Sequence, residues 1–162
     1  MLAVLGMMCA PIACSKSKPK SAQKNSANGG VPTQQTPERQ ALAQAVSASG
    51  GRSVEGRETP LLCQLAHDQA VYMAEAQTVN HDNLDDEWST VEEAGGYELQ
   101  ELIASAAGGN LQAAASSCVQ QWRNSQDYGA PMQSRWDNFC YDMVRGNDGQ
   151  YYCTGMVANG LH

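Results

Sequence analysis

The side chains best equipped for chemistry in this 162-residue chain are three histidines, six cysteines and the acidic residues gathered in NHDNLDDEWSTVEEAGG. His67 falls mid-helix beside Asp68, at the edge of an apolar stripe, where a lone histidine is ordinarily structural or solvent-facing. Asp82, Asp85, Asp86, Glu87, Glu92 and Glu93 offer oxygen ligands of the kind calcium takes. They lack the alternate-position spacing and glycine of an EF-hand, and they predict a solvated acidic loop. Ser89, Ser105, Ser125 and Ser134 supply hydroxyls, none in the Gly-x-Ser-x-Gly setting of an activated nucleophile. Gly146 to Gly149 is a turn rather than a phosphate cradle, because no helix pattern follows it.

The cysteines divide into two groups. Cys9 and Cys14 lie in the almost wholly apolar MLAVLGMMCAPIAC, leaving Cys63, Cys118, Cys140 and Cys153 for the body. A short apolar leader with a small residue before a cut site has the form of an export signal over residues 1–14. Ala13-Cys14 resembles the end of a bacterial lipoprotein signal, whose cysteine becomes lipid-modified, although Pro11 stands where a large aliphatic residue is usual. An exported chain meets an oxidising compartment, so two disulfides are expected in place of free thiols or a Cys/His catalytic pair. The four body cysteines allow three connectivities. With no Cys-x-x-Cys and no nearby histidine pair, a structural zinc site is not indicated.

The net charge of −7, with four of only 10 Lys+Arg in the N-terminal stretch, argues against a nucleic-acid partner. Residues 15–36 are rich in Ser, Lys, Gln, Asn, Gly and Pro and cannot bury enough apolar surface to offset ordering entropy, which predicts a flexible tether. A short helix is expected over 37–50, started by Thr36-Pro37-Glu38 and stopped at Gly50-Gly51. The folded body begins near residue 59. Thr59 and Pro60 open an amphipathic helix whose stripe runs through Leu62, Leu65, Ala66, Gln69, Ala70, Met73 and Ala76. A second helix is expected in GYELQELIASAA and a third in NLQAAASSCVQQWRNS, with Ala114, Ala115, Cys118, Val119 and Trp122 on one face. Two alternating strands then flank Asn147-Asp148-Gly149 as a C-terminal hairpin. Helices that precede strands indicate an α+β domain: three helices and a small antiparallel sheet. The expected disulfides are Cys63–Cys118, joining two helices through their buried stripes, and Cys140–Cys153, stapling the hairpin through a bulge or longer loop. Trp122 is expected in the core, with Trp88 and Trp136 open to a groove or to packing.

Three segments in this order, HDQAVYMAEAQTVNH, QELIASA and CVQQWRNSQDYGAPMQSRWDNFCYDMVRGNDGQYYCTGMV, resemble the CAP superfamily of cysteine-rich secretory, antigen 5 and pathogenesis-related proteins. The likeness spans residues 59–158 and implies a CAP-like α-β-α sandwich. That family's cleft carries two histidines and two acidic residues, which hold a divalent metal in several members. Residue by residue, His81 matches the first histidine and Glu101 a glutamate, while the second histidine falls at Tyr128 and the second acid at Ser125. The resemblance therefore implies a binding cleft of His81, Glu101 and Tyr128 with half its tetrad replaced. A phenol is a poor substitute for imidazole at a metal, so no cofactor is expected beyond a weakly held divalent ion. Paired with His81, the Glu101 carboxylate would raise the imidazole pKa; the plainer alternative is that His81 caps a helix and Glu101 ties down a loop. The function implied is an exported, lipid-anchored binding module for a lipid, glycan or other cell-envelope ligand. The alternative is a cell-wall or peptide hydrolase with His81 as base and Glu101 as its orienting partner, a reading that gains if His67 or Tyr128 joins them.

Overall fold

The computed structural model describes residues 35–162. The export signal, Cys14 and nearly all of the tether lie outside the described residues. Thr36 takes a hydrogen bond from Arg39 N on its side chain and opens α1 (Pro37–Ala48), which stops where Gly50 turns at φ +83. A single 3-10 turn and the two-residue β1 (Arg57–Glu58) lead into α2 (Pro60–Ala76). Then come α3 (Leu84–Glu93), β2 (Glu98–Ala107), α4 (Leu111–Asn124), the short α5 (Gly129–Gln133), β3 (Asn138–Arg145) and β4 (Gln150–Asn159). The fold is α+β, with five helices among the described residues where a short helix over 37–50 and three in the body were expected.

The sheet order is β1-β3-β4-β2, with β1 parallel to β3 and the remaining pairs antiparallel. The hairpin forms as its sequence predicts. Gly146 N donates to Gln150 O at 2.8 Å, and Gly149 takes φ +82, a left-handed conformation that glycine adopts without penalty. Successive strand residues face opposite sides, and here both sides are covered. Leu102, Ala104, Phe139, Tyr141, Cys153 and Val157 pack against α1 and α4, while Leu99, Cys140, Met156 and Ala158 pack against α2 and α3. The result is a three-layer α-β-α arrangement.

Two expectations are corrected by this layering. GYELQELIASAA forms the edge strand β2, not a helix. Its run Leu102-Ile103-Ala104-Ser105-Ala106 feeds both covered faces, and a strand buried on both faces loses the alternation that would have marked it. The acidic stretch expected as a loop forms α3, buried through Glu87 and Val91.

The disulfides are Cys63–Cys140 and Cys118–Cys153, with Cα atoms 5.0 and 6.5 Å apart, in place of Cys63–Cys118 and Cys140–Cys153. The reason lies in the sheet. Cys63 on α2 and Cys118 on α4 belong to opposite layers. Cys140 pairs with Met156 and Cys153 with Met143, so the two strand cysteines lie three positions out of register and on opposite faces. Each bridge instead ties one helix to the sheet face beneath it.

The body also begins earlier than residue 59. Leu42 and Val46 of α1 are fully buried in the same core as Trp122. Beyond Phe139, β1 no longer covers β3, and Arg39 crosses that side. Its Nε donates to Asp142 Oδ2 at 3.0 Å and its guanidinium reaches Cys63 O at 3.2 Å. Both partners of this ion pair are buried, so α1 is fastened to β3 and α2 by paired charges as well as by apolar packing. Trp122 is fully buried, Trp136 nearly so with Nε1 donating to Pro131 O, and Trp88 is half-buried against the α2 face.

Candidate functional site

Four elements deliver four polar side chains to the edge of the sheet beside β2. The loop after α2 carries His81, and α3 turns Glu87 inward from the apolar side that also holds Leu84, Trp88 and Val91. Strand alternation places Glu101 on the α2/α3 face, between Leu99 and Ile103. Tyr128 arrives from the α4–α5 connection, where Ser125 Oγ accepts from its backbone N at 3.3 Å. His81 bridges the two layers: Nδ1 meets Glu101 Oε1 in a short contact, and Nε2 lies 2.7 Å from the Tyr128 hydroxyl.

Glu101 is 5% exposed and Glu87 equally so, while the His81 side chain is 38% exposed. Burial pushes the Glu101 carboxyl up to about 7. Burial again, followed by the charge of Glu101 and a hydrogen bond to it, pushes Glu87 up to about 8. Glu87 Oε2 and Glu101 Oε2 are both buried, and neither has a hydrogen-bond partner in the protein. Two anionic carboxylates offer only acceptors, whereas a proton held on one supplies the donor the pair lacks. Burial thus holds both carboxyls toward their neutral forms, beside an imidazole that burial also holds toward neutrality.

The His81 pKa lies below its ordinary value, with burial as the main cause and the charge of Glu87 acting the other way. This corrects the expectation that Glu101 would raise it. Glu101 is itself held toward its neutral form and supplies less charge than an exposed carboxylate. With Nδ1–H directed at Glu101, the Tyr128 hydroxyl donates to Nε2. Burial first, then Glu101 and Asp127, raises the Tyr128 pKa and keeps that proton on oxygen.

His81, Glu101 and Tyr128, read from the sequence as one cleft, are brought together. Ser125 supplies no acid, and its hydroxyl instead holds the backbone of Asp127 and Tyr128. A further acid at the site is Glu87, which the sequence conceals because α3 reads as a charge run. Its signal is Leu84, Glu87, Trp88 and Val91 at +3, +4 and +7, one face of a helix with a glutamate inside its apolar stripe. His67 does not join the cleft. Its Nδ1 lies 3.1 Å from Asp142 Oδ2, beside the Arg39 ion pair.

Both ring nitrogens of His81 are engaged in this arrangement, Nδ1 by Glu101 and Nε2 by Tyr128. Among the described residues, Glu58, Cys63 and Cys140 also approach one another as ligands would, but both sulfurs are consumed in a disulfide.

No family model matches the chain, and no curated protein matches it by sequence. Among solved structures, the fold is similar to an outer surface protein from Borrelia burgdorferi, at 14% identity and a TM-score of 0.56. The match covers 75% of this chain and 89% of that one.

Proposed function

We propose that the protein works outside the cytoplasm as a binding module of CAP type, lipid-anchored through Cys14 and engaging a component of the cell envelope through the His81–Glu101–Tyr128 cleft. Three observations support an external location. The body carries two disulfides, which persist in oxidising compartments. Its N-terminal residues have the composition of an export leader, and its fold is similar to that of a protein described as an outer surface protein. The CAP reading rests on the sequence resemblance and on the meeting of His81 with Glu101.

The observation that carries binding over catalysis is the double engagement of His81. A general base needs a free nitrogen aimed at the substrate, and the Nε2 lone pair is covered by the Tyr128 hydroxyl. What the site offers a ligand is a phenol and an imidazole at the surface, backed by the buried Glu87 and Glu101 carboxyls, polar groups suited to hydroxyl-rich partners such as glycans. Because Tyr128 joins His81, hydrolysis is the second reading: displacing that hydroxyl would expose a base oriented by Glu101.

Co-sedimentation of the body with purified peptidoglycan, and separately with phosphatidylglycerol vesicles, tests this, beside His81→Ala and Glu101→Gln variants. Binding to either that is lost in both variants supports the module and identifies the ligand class. Equal binding by wild type and variants removes the cleft from the account, and release of soluble fragments from peptidoglycan by wild type alone would make the protein a hydrolase.

A further inference from the structure

Gln69 lies on α2, on the face that buries Leu62, Ala66, Ala70 and Met73, and is 0% exposed. An apolar side chain of similar volume would serve packing there without the desolvation that an amide incurs. Both ends of the amide are used, and both are used on the loop that follows the same helix. Nε2 donates to Asn80 O at 2.7 Å, and Oε1 accepts from Asn83 Nδ2 at 2.9 Å. These two residues bracket His81.

Asn83 is also where α3 begins, since its carbonyl accepts from Glu87 N at 3.0 Å. Between the brackets, Asn80 Oδ1 takes Asp82 N at 3.2 Å and His81 O takes Leu84 N at 3.1 Å, closing a compact turn with the imidazole on it. A single buried amide thus holds the backbone before His81 and the first turn of the helix that delivers Glu87. Both groups must then meet Glu101, which belongs to a different element, β2.

We infer that Gln69 is the positioning residue of the cleft, fixing His81 and Glu87 against Glu101 from inside the α2 layer without reaching the ligand itself. The inference rests on His81 and Glu87 belonging to one cleft, but not on any ligand being bound.

The test is an NMR titration of the histidine imidazoles in the full chain, with the His81 signal assigned by its loss in His81→Asn. Gln69→Leu removes both hydrogen bonds, and Gln69→Asn keeps an amide one methylene too short to span both partners. Leu62→Ala, on the same helix, removes packing from the apolar cluster that also holds Leu84 and Val91 of α3 while leaving both amide hydrogen bonds in place, and serves as the control for lost packing alone. The expected result is an upward move of the His81 midpoint toward the ordinary histidine range in both Gln69 variants, with no move in Leu62→Ala. An unmoved His81 midpoint in folded Gln69→Asn, or an equal move in Leu62→Ala, would overturn it. Since the readout needs no ligand, a failure of envelope binding leaves this test standing.

Discussion

Cys140 and Cys153 occupy the two strands of one hairpin yet face opposite sides of the sheet, three positions out of register. Each is bonded to the helix above its own face, Cys140 to Cys63 of α2 and Cys153 to Cys118 of α4. Non-reducing peptide mapping is expected to recover these two pairs and neither Cys63–Cys118 nor Cys140–Cys153. The bridges close sequence separations of 77 and 35 residues. On loop entropy, removing either by paired Cys→Ser substitution should destabilise by about 4 kcal/mol, slightly more for Cys63–Cys140. Chemical denaturation of the two double variants measures this.

The buried carboxyl pair should give stability an unusual pH dependence. Glu87 and Glu101 bind a proton more tightly folded than unfolded, between the ordinary 4.5 and about 8 and about 7 respectively. Across that window the folded state carries more protons, so stability falls as pH rises. His81, with its pKa lowered from 6.5, acts in the opposite sense: stability is lost as pH falls below that value. Above about pH 6.5 only the carboxyls contribute, and Tm should fall by roughly 5–10 °C by about pH 9. Glu87→Gln should flatten this fall by removing one of the two acids.

Arg39 and Asp142 form a buried ion pair across the uncovered side of β3. Replacing Arg39 by Met leaves the carboxylate of Asp142 buried without its guanidinium and should cost about 3–5 kcal/mol. The double variant Arg39→Met/Asp142→Leu should cost much less than the two single changes summed, because neither charge is then stranded. Urea midpoints for the four proteins of this cycle decide it.

Tyr128→Phe should uncover the Nε2 nitrogen of His81. Loss of a hydrogen bond worth roughly 1 kcal/mol corresponds to about a fivefold faster acylation of that nitrogen by diethyl pyrocarbonate. Since the hydroxyl stabilises the neutral ring, the His81 midpoint should also rise. Mass spectrometry of the modified peptide reads the first effect, and unchanged acylation would remove Tyr128 from the site.

Much of the fold can be read from the chain because the signals are local. Pro37, Pro60 and Asn110 mark helix starts, the Ala114-Ala115-Cys118-Val119-Trp122 stripe marks α4, and Asn147-Asp148-Gly149 marks the hairpin turn. What escapes a sequence reading depends on layers. Helix periodicity and a doubly buried strand look alike over Glu98–Ala107, and cysteine pairing follows from which face of the sheet each helix covers. In the site, His81, Glu101 and Tyr128 are legible through the order of segments, whereas Glu87 is hidden among exposed acids of the same type. Its burial is set by Leu84, Trp88 and Val91 beside it, and by nothing in its own identity.

The unity of the site is measured most directly by a carbon-13 titration of the glutamate side-chain carboxyls in wild type and in His81→Ala. Glu87 and Glu101 should titrate at about 8 and about 7, and both midpoints should move when the imidazole is removed. If every glutamate titrates near the ordinary 4.5, Glu87 and Glu101 are not a buried proton-sharing pair, and the cleft built on them does not exist.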